Sequence, residues 1–225
     1  MKIGNFDINK KTFIIAEIGN NHNGDKQKAK LLIDKAIKIG ADCAKFQMRH
    51  LDNVYRQKSL QKTGEDLGTE YILDLLERFE LSVEDHREIK NYCDEKGIIY
   101  LCTPWDSKSV DTLENFDVMS YKVASADLTN IPLLERLVKT KKPLILSTGM
   151  STVKEIDFTI NFLNKNNIEF CLLHCNSTYP APIQDINLNW MDVLKNKHPN
   201  IGYSGHERGI NISLAAVAKG AKILE

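Results

Sequence analysis

The chain has 225 residues, 42% of them hydrophobic, which is enough for one sizeable core and too few for two ordinary domains. Its 30 Lys and Arg balance 30 Asp and Glu, so there is no net field to draw nucleic acid or a lipid surface. No apolar run approaches the length of a membrane span, and the N-terminal Met1-Lys-Ile-Gly-Asn-Phe-Asp7 lacks the apolar stretch of a signal peptide. Cys43, Cys93, Cys102, Cys171 and Cys175 make an odd count with no CxxC pair, which argues against a disulfide framework and a structural zinc site; a cytoplasmic protein is expected.

Short β-rich apolar runs alternate with amphipathic segments along the whole chain. Strands are expected at Phe13–Gly19, Cys43–Met48, Ile98–Cys102, Met119–Val123, Pro143–Thr148, Glu169–Cys175, Asn200–Gly205 and Lys222–Glu225. Helical periodicity covers Gln27–Ile39, Val83–Glu95, Ser109–Phe116, Leu133–Lys139, Val153–Asn166 and Ile212–Lys219. Ser82, followed by an acidic first turn, and Gly97 punctuate the second of these as cap residues do. Strand–helix alternation repeated eight times predicts a parallel sheet, and the absence of a Gly-rich dinucleotide fingerprint favours a (β/α)8 TIM barrel over a doubly wound sheet. The polar stretch Arg49–Thr69 after the second strand is long for a mere connection and suits a lid over the barrel mouth. The sequence ends within the eighth strand, so residues 1–225 read as a single catalytic barrel that is incomplete at its C-terminal side.

The strands turn polar at their C-terminal ends, the face where barrel enzymes place their chemistry. With period two, Ile15 and Glu17 share a face, as do Cys43, Lys45 and Gln47, while Ala16, Ile18, Ala44 and Phe46 suit packing against helices. Thr103, Lys122, Ser147, His174, Asn176, Ser204, His206 and Glu225 end other strands in the same manner. Each has a plain alternative: Glu17 or Lys45 as half of a buried salt bridge, His174 as a satisfied core histidine. Repetition at one end of every strand points instead to function. Two lysines with hydroxyls form a cradle for a phosphate or carboxylate, and a histidine with carboxylates suits a hard or borderline divalent metal.

Seven motifs carry a more specific signal. They are Ile15-Ala-Glu-Ile-Gly-Asn-Asn-His-Asn-Gly24, Lys45-Phe-Gln47, Cys102-Thr-Pro-Trp-Asp106, Tyr121-Lys-Val-Ala-Ser125, Leu146-Ser-Thr-Gly-Met-Ser-Thr152, Tyr179-Pro-Ala-Pro182 and Gly202-Tyr-Ser-Gly-His206. In this order they closely resemble the N-acetylneuraminate (sialic acid) synthase family, which includes legionaminic and pseudaminic acid synthases and spore-coat polysaccharide synthases. The resemblance implies condensation of phosphoenolpyruvate with the open-chain aldehyde of an N-acetylated amino sugar, with a divalent metal, usually Mn2+ with Mg2+ or Co2+ as alternatives, and release of phosphate. It implies Glu17 as the group that handles water or a sugar hydroxyl. Lys45, Thr103, Lys122, Ser125, Ser147, Ser177 and Ser204 would line the phosphoenolpyruvate site. Gln47, Asp127 and Tyr179 would face the sugar, and His206 would be one of two histidine ligands of the metal.

Departures from the family pattern are informative. Asp127 stands where many relatives carry Glu, and Ser177 where some carry Asn, so the resemblance does not carry over a sugar preference. The second metal-binding histidine, the end of the barrel and the antifreeze-like domain that completes a homodimer in relatives all lie past Glu225. The chain by itself is therefore expected to have little synthase activity. Two other readings suit the residues: a Schiff-base aldolase using Lys45 or Lys122, and an anion-binding barrel fragment without turnover.

Overall fold

The computed structural model describes residues 1–55 and 73–225. The chain divides into two compact units, one formed by Ala16–Val118 and the other by Met1–Ile15 together with Met119–Glu225. Strand β3 (Phe13–Glu17) begins in the second and ends in the first.

In the Ala16–Val118 unit, α1 (Lys26–Lys38) leads to β4 (Cys43–Met48), followed by α2 (Leu51–Val54), α3 (Leu73–Phe79), α4 (Val83–Lys96), β5 (Ile99–Pro104) and α5 (Ser107–Glu114). β4 and β5 pair in parallel from Cys43↔Ile99 to Met48↔Pro104, and the Ile18 N–H donates to the Lys45 carbonyl at 2.9 Å. Phe46 stacks on Tyr100 at 5.5 Å and on His22 at 6.1 Å and meets His86 of α4 edge-on, so its side of β4 is the helix-packed one. The period-two assignment holds: Lys45 and Gln47 take the opposite side. Helix starts follow their caps. Asp25 accepts from the amides of Gln27 and Lys28, Ser82 from Asp85, and Asp106 from Ser109, which moves the start of α5 two residues ahead of the expected Ser109. The left-handed Gly97 at φ 73° closes α4.

In the other unit, a short antiparallel hairpin, β1 (Lys2–Ile3) with β2 (Phe6–Asp7), precedes β3. After residue 118 come β6 (Tyr121–Val123), α6 (Ile131–Lys139), β7 (Leu144–Ser147), α7 (Val153–Lys165), β8 (Phe170–Cys175), α8 (Trp190–Lys197), β9 (Ile201–Ser204), α9 (Asn211–Ala218) and β10 (Ile223–Leu224). The strands run parallel in the order β3-β10-β9-β8-β7-β6, with Ile223 opposite Phe13 and Leu224 opposite Ile14. Every residue of β8 is buried, as expected for a parallel strand covered on both faces. α6 buries Leu133, Leu134, Leu137 and Val138; α7 buries Ile156, Thr159, Ile160 and Leu163 behind a Thr152–Glu155 capping box. Neither the hairpin nor α8 is among the expected elements. Two-residue strands carry no period, and α8 buries only Met191 and Leu194. Eight parallel strands in chain order, with the last paired to the first, make the fold class the expected (β/α)8 barrel.

The lid expected over Arg49–Thr69 falls mostly on residues 56–72, outside the described residues; Leu51–Val54 form a single helical turn.

Candidate functional site

The Ala16–Val118 unit places Glu17, Lys45, Gln47 and Thr103 together at the ends of β3, β4 and β5. Lys45 is nearly buried and reaches Glu17 Oε2 at 2.6 Å and Thr103 Oγ1 at 3.3 Å. The Glu17 side chain is 36% exposed, so the carboxylate that holds Lys45 also meets solvent. The Gln47 amide nitrogen donates to Glu17 Oε1 at 3.1 Å. Gly19, at φ 50°, carries the chain past this carboxylate: a methyl group there would lie 2.8 Å from Glu17 Oε1. Beneath them, burial holds His22 neutral, its pKa lowered to about 4, and His86 likewise at about 3. His22 Nδ1 accepts from the Gly24 amide, and His86 Nδ1 meets the Tyr100 hydroxyl at 2.9 Å.

The other unit repeats the arrangement with different residues. Lys122, at the centre of β6, donates to Ser147 Oγ at 2.7 Å and to the Val123 carbonyl at 3.0 Å, and lies 3.3 Å from Glu225 Oε2. Here the carboxylate is 7% exposed. Ser125 Oγ accepts from the Gly149 amide at 3.2 Å, and Gly149 lets that turn pass the end of β8: a methyl group there would sit 2.5 Å from Ser177 Oγ. Ser204, buried, ends β9 opposite Cys175. Asp127 is buried beyond β6; one carboxylate oxygen accepts from Asn130 at 2.9 Å, and the other has no hydrogen-bond partner among the described residues. Burial raises its pKa against the pull of Asn130 and Lys122.

His206 stacks on Tyr179 at 3.9 Å between ring centroids. Its Nδ1 lies 2.6 Å from the Asn176 carbonyl, which only accepts, so Nδ1 carries the proton and the Nε2 lone pair is left to a ligand. That is the orientation in which metal-binding imidazoles are held, and it fits His206 as one metal ligand. Among the described residues no group of three or more His, Cys, Asp or Glu side chains is placed to hold a metal ion. Burial opposes charge on both Cys175 and His206, yet their 3.9 Å contact leaves the thiol below and the imidazole above their usual ranges. His174 takes its plain reading: Nε2 meets the Ile186 carbonyl at 2.5 Å within the core.

Sequence reasoning did not single out Arg49, Trp105 and Glu80, which surround Gln47. The Arg49 guanidinium contacts Gln47 Oε1 and lies 5.0 Å over the Trp105 ring, whose indole N–H also donates to Gln47 Oε1 at 3.3 Å. Glu80 accepts from the Arg49 amide at 3.3 Å and faces its Nε at 3.7 Å; burial raises its pKa to about 7 despite that cation. The signal was faint, since Arg49 and Glu80 are 31 positions apart and read as ordinary surface charges.

Comparisons with known proteins point to one family. The chain is 42% identical over 226 residues to the N,N'-diacetyllegionaminic acid synthase of Campylobacter jejuni, with 96% of this chain and 67% of that protein covered. It is 40% identical over 220 residues to the N-acetylneuraminate-9-phosphate synthase of Homo sapiens, covering 95% of this chain and 60% of that one. The crystal structure of an N-acetylneuraminic acid (sialic acid) synthetase of Leptospira borgpetersenii, solved with citrate, matches with a TM-score of 0.87 at 34% identity, covering 100% of this chain and 76% of that one. The chain spans about three fifths to two thirds of the length of the curated relatives it matches. The model of the NeuB family matches residues 32–225, and the chain belongs to the NeuB family.

Proposed function

We propose that the chain is the catalytic barrel of a synthase that condenses phosphoenolpyruvate with the aldehyde of an N-acetylated amino sugar of the N-acetylmannosamine kind, giving a nonulosonic acid and phosphate for glycan or cell-surface polysaccharide biosynthesis. The observation that carries the reading is the pair of buried strand lysines, each in contact with a carboxylate and a hydroxyl, in a chain whose relatives are named sialic and legionaminic acid synthases. Lys45 and Lys122, with Thr103, Ser125, Ser147, Ser177 and Ser204, hold the phosphate and carboxylate of phosphoenolpyruvate. Gln47, Asp127 and Tyr179 hold the sugar. When C3 of phosphoenolpyruvate attacks the aldehyde carbon, C2 becomes electron-poor and takes up water. Glu17, open to solvent, accepts the proton of that water, and the resulting phosphate hemiketal collapses with loss of phosphate. His206 contributes Nε2 to a divalent cation, Mn2+ before Mg2+ or Co2+, which when bound supplies Lewis-acid polarisation of the aldehyde oxygen.

The same reading carries a cytoplasmic homodimer acting on small molecules and not on nucleic acid or membranes. The balanced formal charge supports small-molecule substrates over a polyanion. The Schiff-base alternative is disfavoured by the carboxylate beside each lysine, the natural partner of an ammonium and not of the neutral amine such a nucleophile requires. In a version extended to the full length of its relatives, incubation with manganese, phosphoenolpyruvate and N-acetylmannosamine should release phosphate in a metal-dependent manner, with nothing trapped on borohydride addition. Covalent labelling of Lys45 or Lys122, or no release with any N-acetylated amino sugar, would overturn the proposal.

A further inference from the structure

We infer that Arg49 and Trp105 are positioning residues that lock the side-chain amide of Gln47 in one orientation, aiming its N–H groups at Glu17 and at the sugar. A glutamine amide has two planar orientations that differ only by exchange of its oxygen and nitrogen. At Gln47 the choice is forced from both sides. The oxygen receives the Arg49 guanidinium and the Trp105 indole N–H, two groups that only donate. The nitrogen faces the Glu17 carboxylate, which only accepts. Exchanging the two ends would set the amide N–H groups against two donors and its oxygen against a carboxylate, so three contacts would turn unfavourable together.

The clamp is itself held. Glu80 grips Arg49 through its backbone amide and its Nε, and the guanidinium lies over the Trp105 ring. Asp106 accepts from the His50 amide at 2.8 Å while capping α5 through Ser109, which ties the exit of β4 to that of β5. One amide hydrogen of Gln47 is spent on Glu17, and the second has no acceptor among the described residues. It points to a substrate acceptor of the carbonyl or hydroxyl kind. This rests on the reading that Gln47 faces the sugar.

The clean variant is Trp105→Phe, which deletes one donor to Gln47 Oε1 and keeps the ring under Arg49; Arg49→Lys keeps the charge beside Glu80 and loses the planar fork. In a version extended to the relatives' full length, each should raise KM for the amino sugar by about three- to tenfold, the worth of a misdirected hydrogen bond, and leave KM for phosphoenolpyruvate within about twofold. The Gln47 side-chain amide signals, assigned in a 15N-glutamine-labelled sample by their loss in Gln47→Leu, should move in Trp105→Phe. Unmoved signals, or both KM values rising together with a fall in thermal midpoint, would overturn the positioning role. Should the wild-type protein release no phosphate, the functional reading fails, and the amide signals still decide whether the clamp exists.

Discussion

Lys45 and Lys122 stand at corresponding places in the two units, and the difference between their partners is instructive. Both are almost wholly buried, and both touch one carboxylate and one hydroxyl. Lys45 is held by Glu17, whose side chain is 36% exposed; Lys122 is held by Glu225, which is 7% exposed. Water solvates the first carboxylate whether or not its lysine is present. The second lies beside its lysine and meets little solvent. One set thus has a carboxylate free to exchange protons with a ligand or water, and the other is a rigid cationic support.

The contrast can be broken by removing each lysine in turn. Lys122→Met should lower unfolding free energy by about 3 kcal/mol, because it removes a buried cation in contact with a carboxylate that is only 7% exposed. Lys45→Met should cost about 1 kcal/mol or less from the ion pair itself, because Glu17 regains water. Denaturant midpoints measured side by side decide this, and equal losses would remove the distinction.

A smaller effect sharpens the account of the Lys45 side. His22 and His86 lie beneath Phe46 on β4 and are held neutral by burial, with pKa values of about 4 and about 3 against 6.5 for an unperturbed histidine. Between those values the unfolded chain binds more protons than the folded one. Stability therefore falls as pH drops below 6.5, by about 1 kcal/mol for each histidine at pH 5.5. His22→Asn should flatten that slope by about one proton, and an unchanged slope would show that His22 titrates normally in the folded protein.

Much of this was legible in the sequence because barrel strands encode their two faces with period two. Glu17, Lys45 and Gln47 on one side and Phe46 on the other follow from alternation alone, and the strands at Cys43–Met48 and Phe170–Cys175 from their apolar runs. What escaped depends on partners distant in sequence. Arg49 opens a polar stretch and reads as solvated until Glu80 and Trp105 are brought to it. Gly149 reads as a turn residue, and only the structure reveals that Ser177 and the Cys175 carbonyl leave no room for a methyl group. Helix α8 was missed because two buried residues in eight give too little periodicity.

The most direct test of the division between the two lysine sets is Glu17→Gln, which preserves shape and removes the carboxylate's charge. If Glu17 takes the proton of the water added at C2, phosphate release from phosphoenolpyruvate and N-acetylmannosamine by a version extended to the relatives' full length should slow by roughly 100-fold or more while the thermal midpoint is retained. Turnover at the wild-type rate in a folded Glu17→Gln protein would contradict the account and leave Glu17 as a structural partner of Lys45.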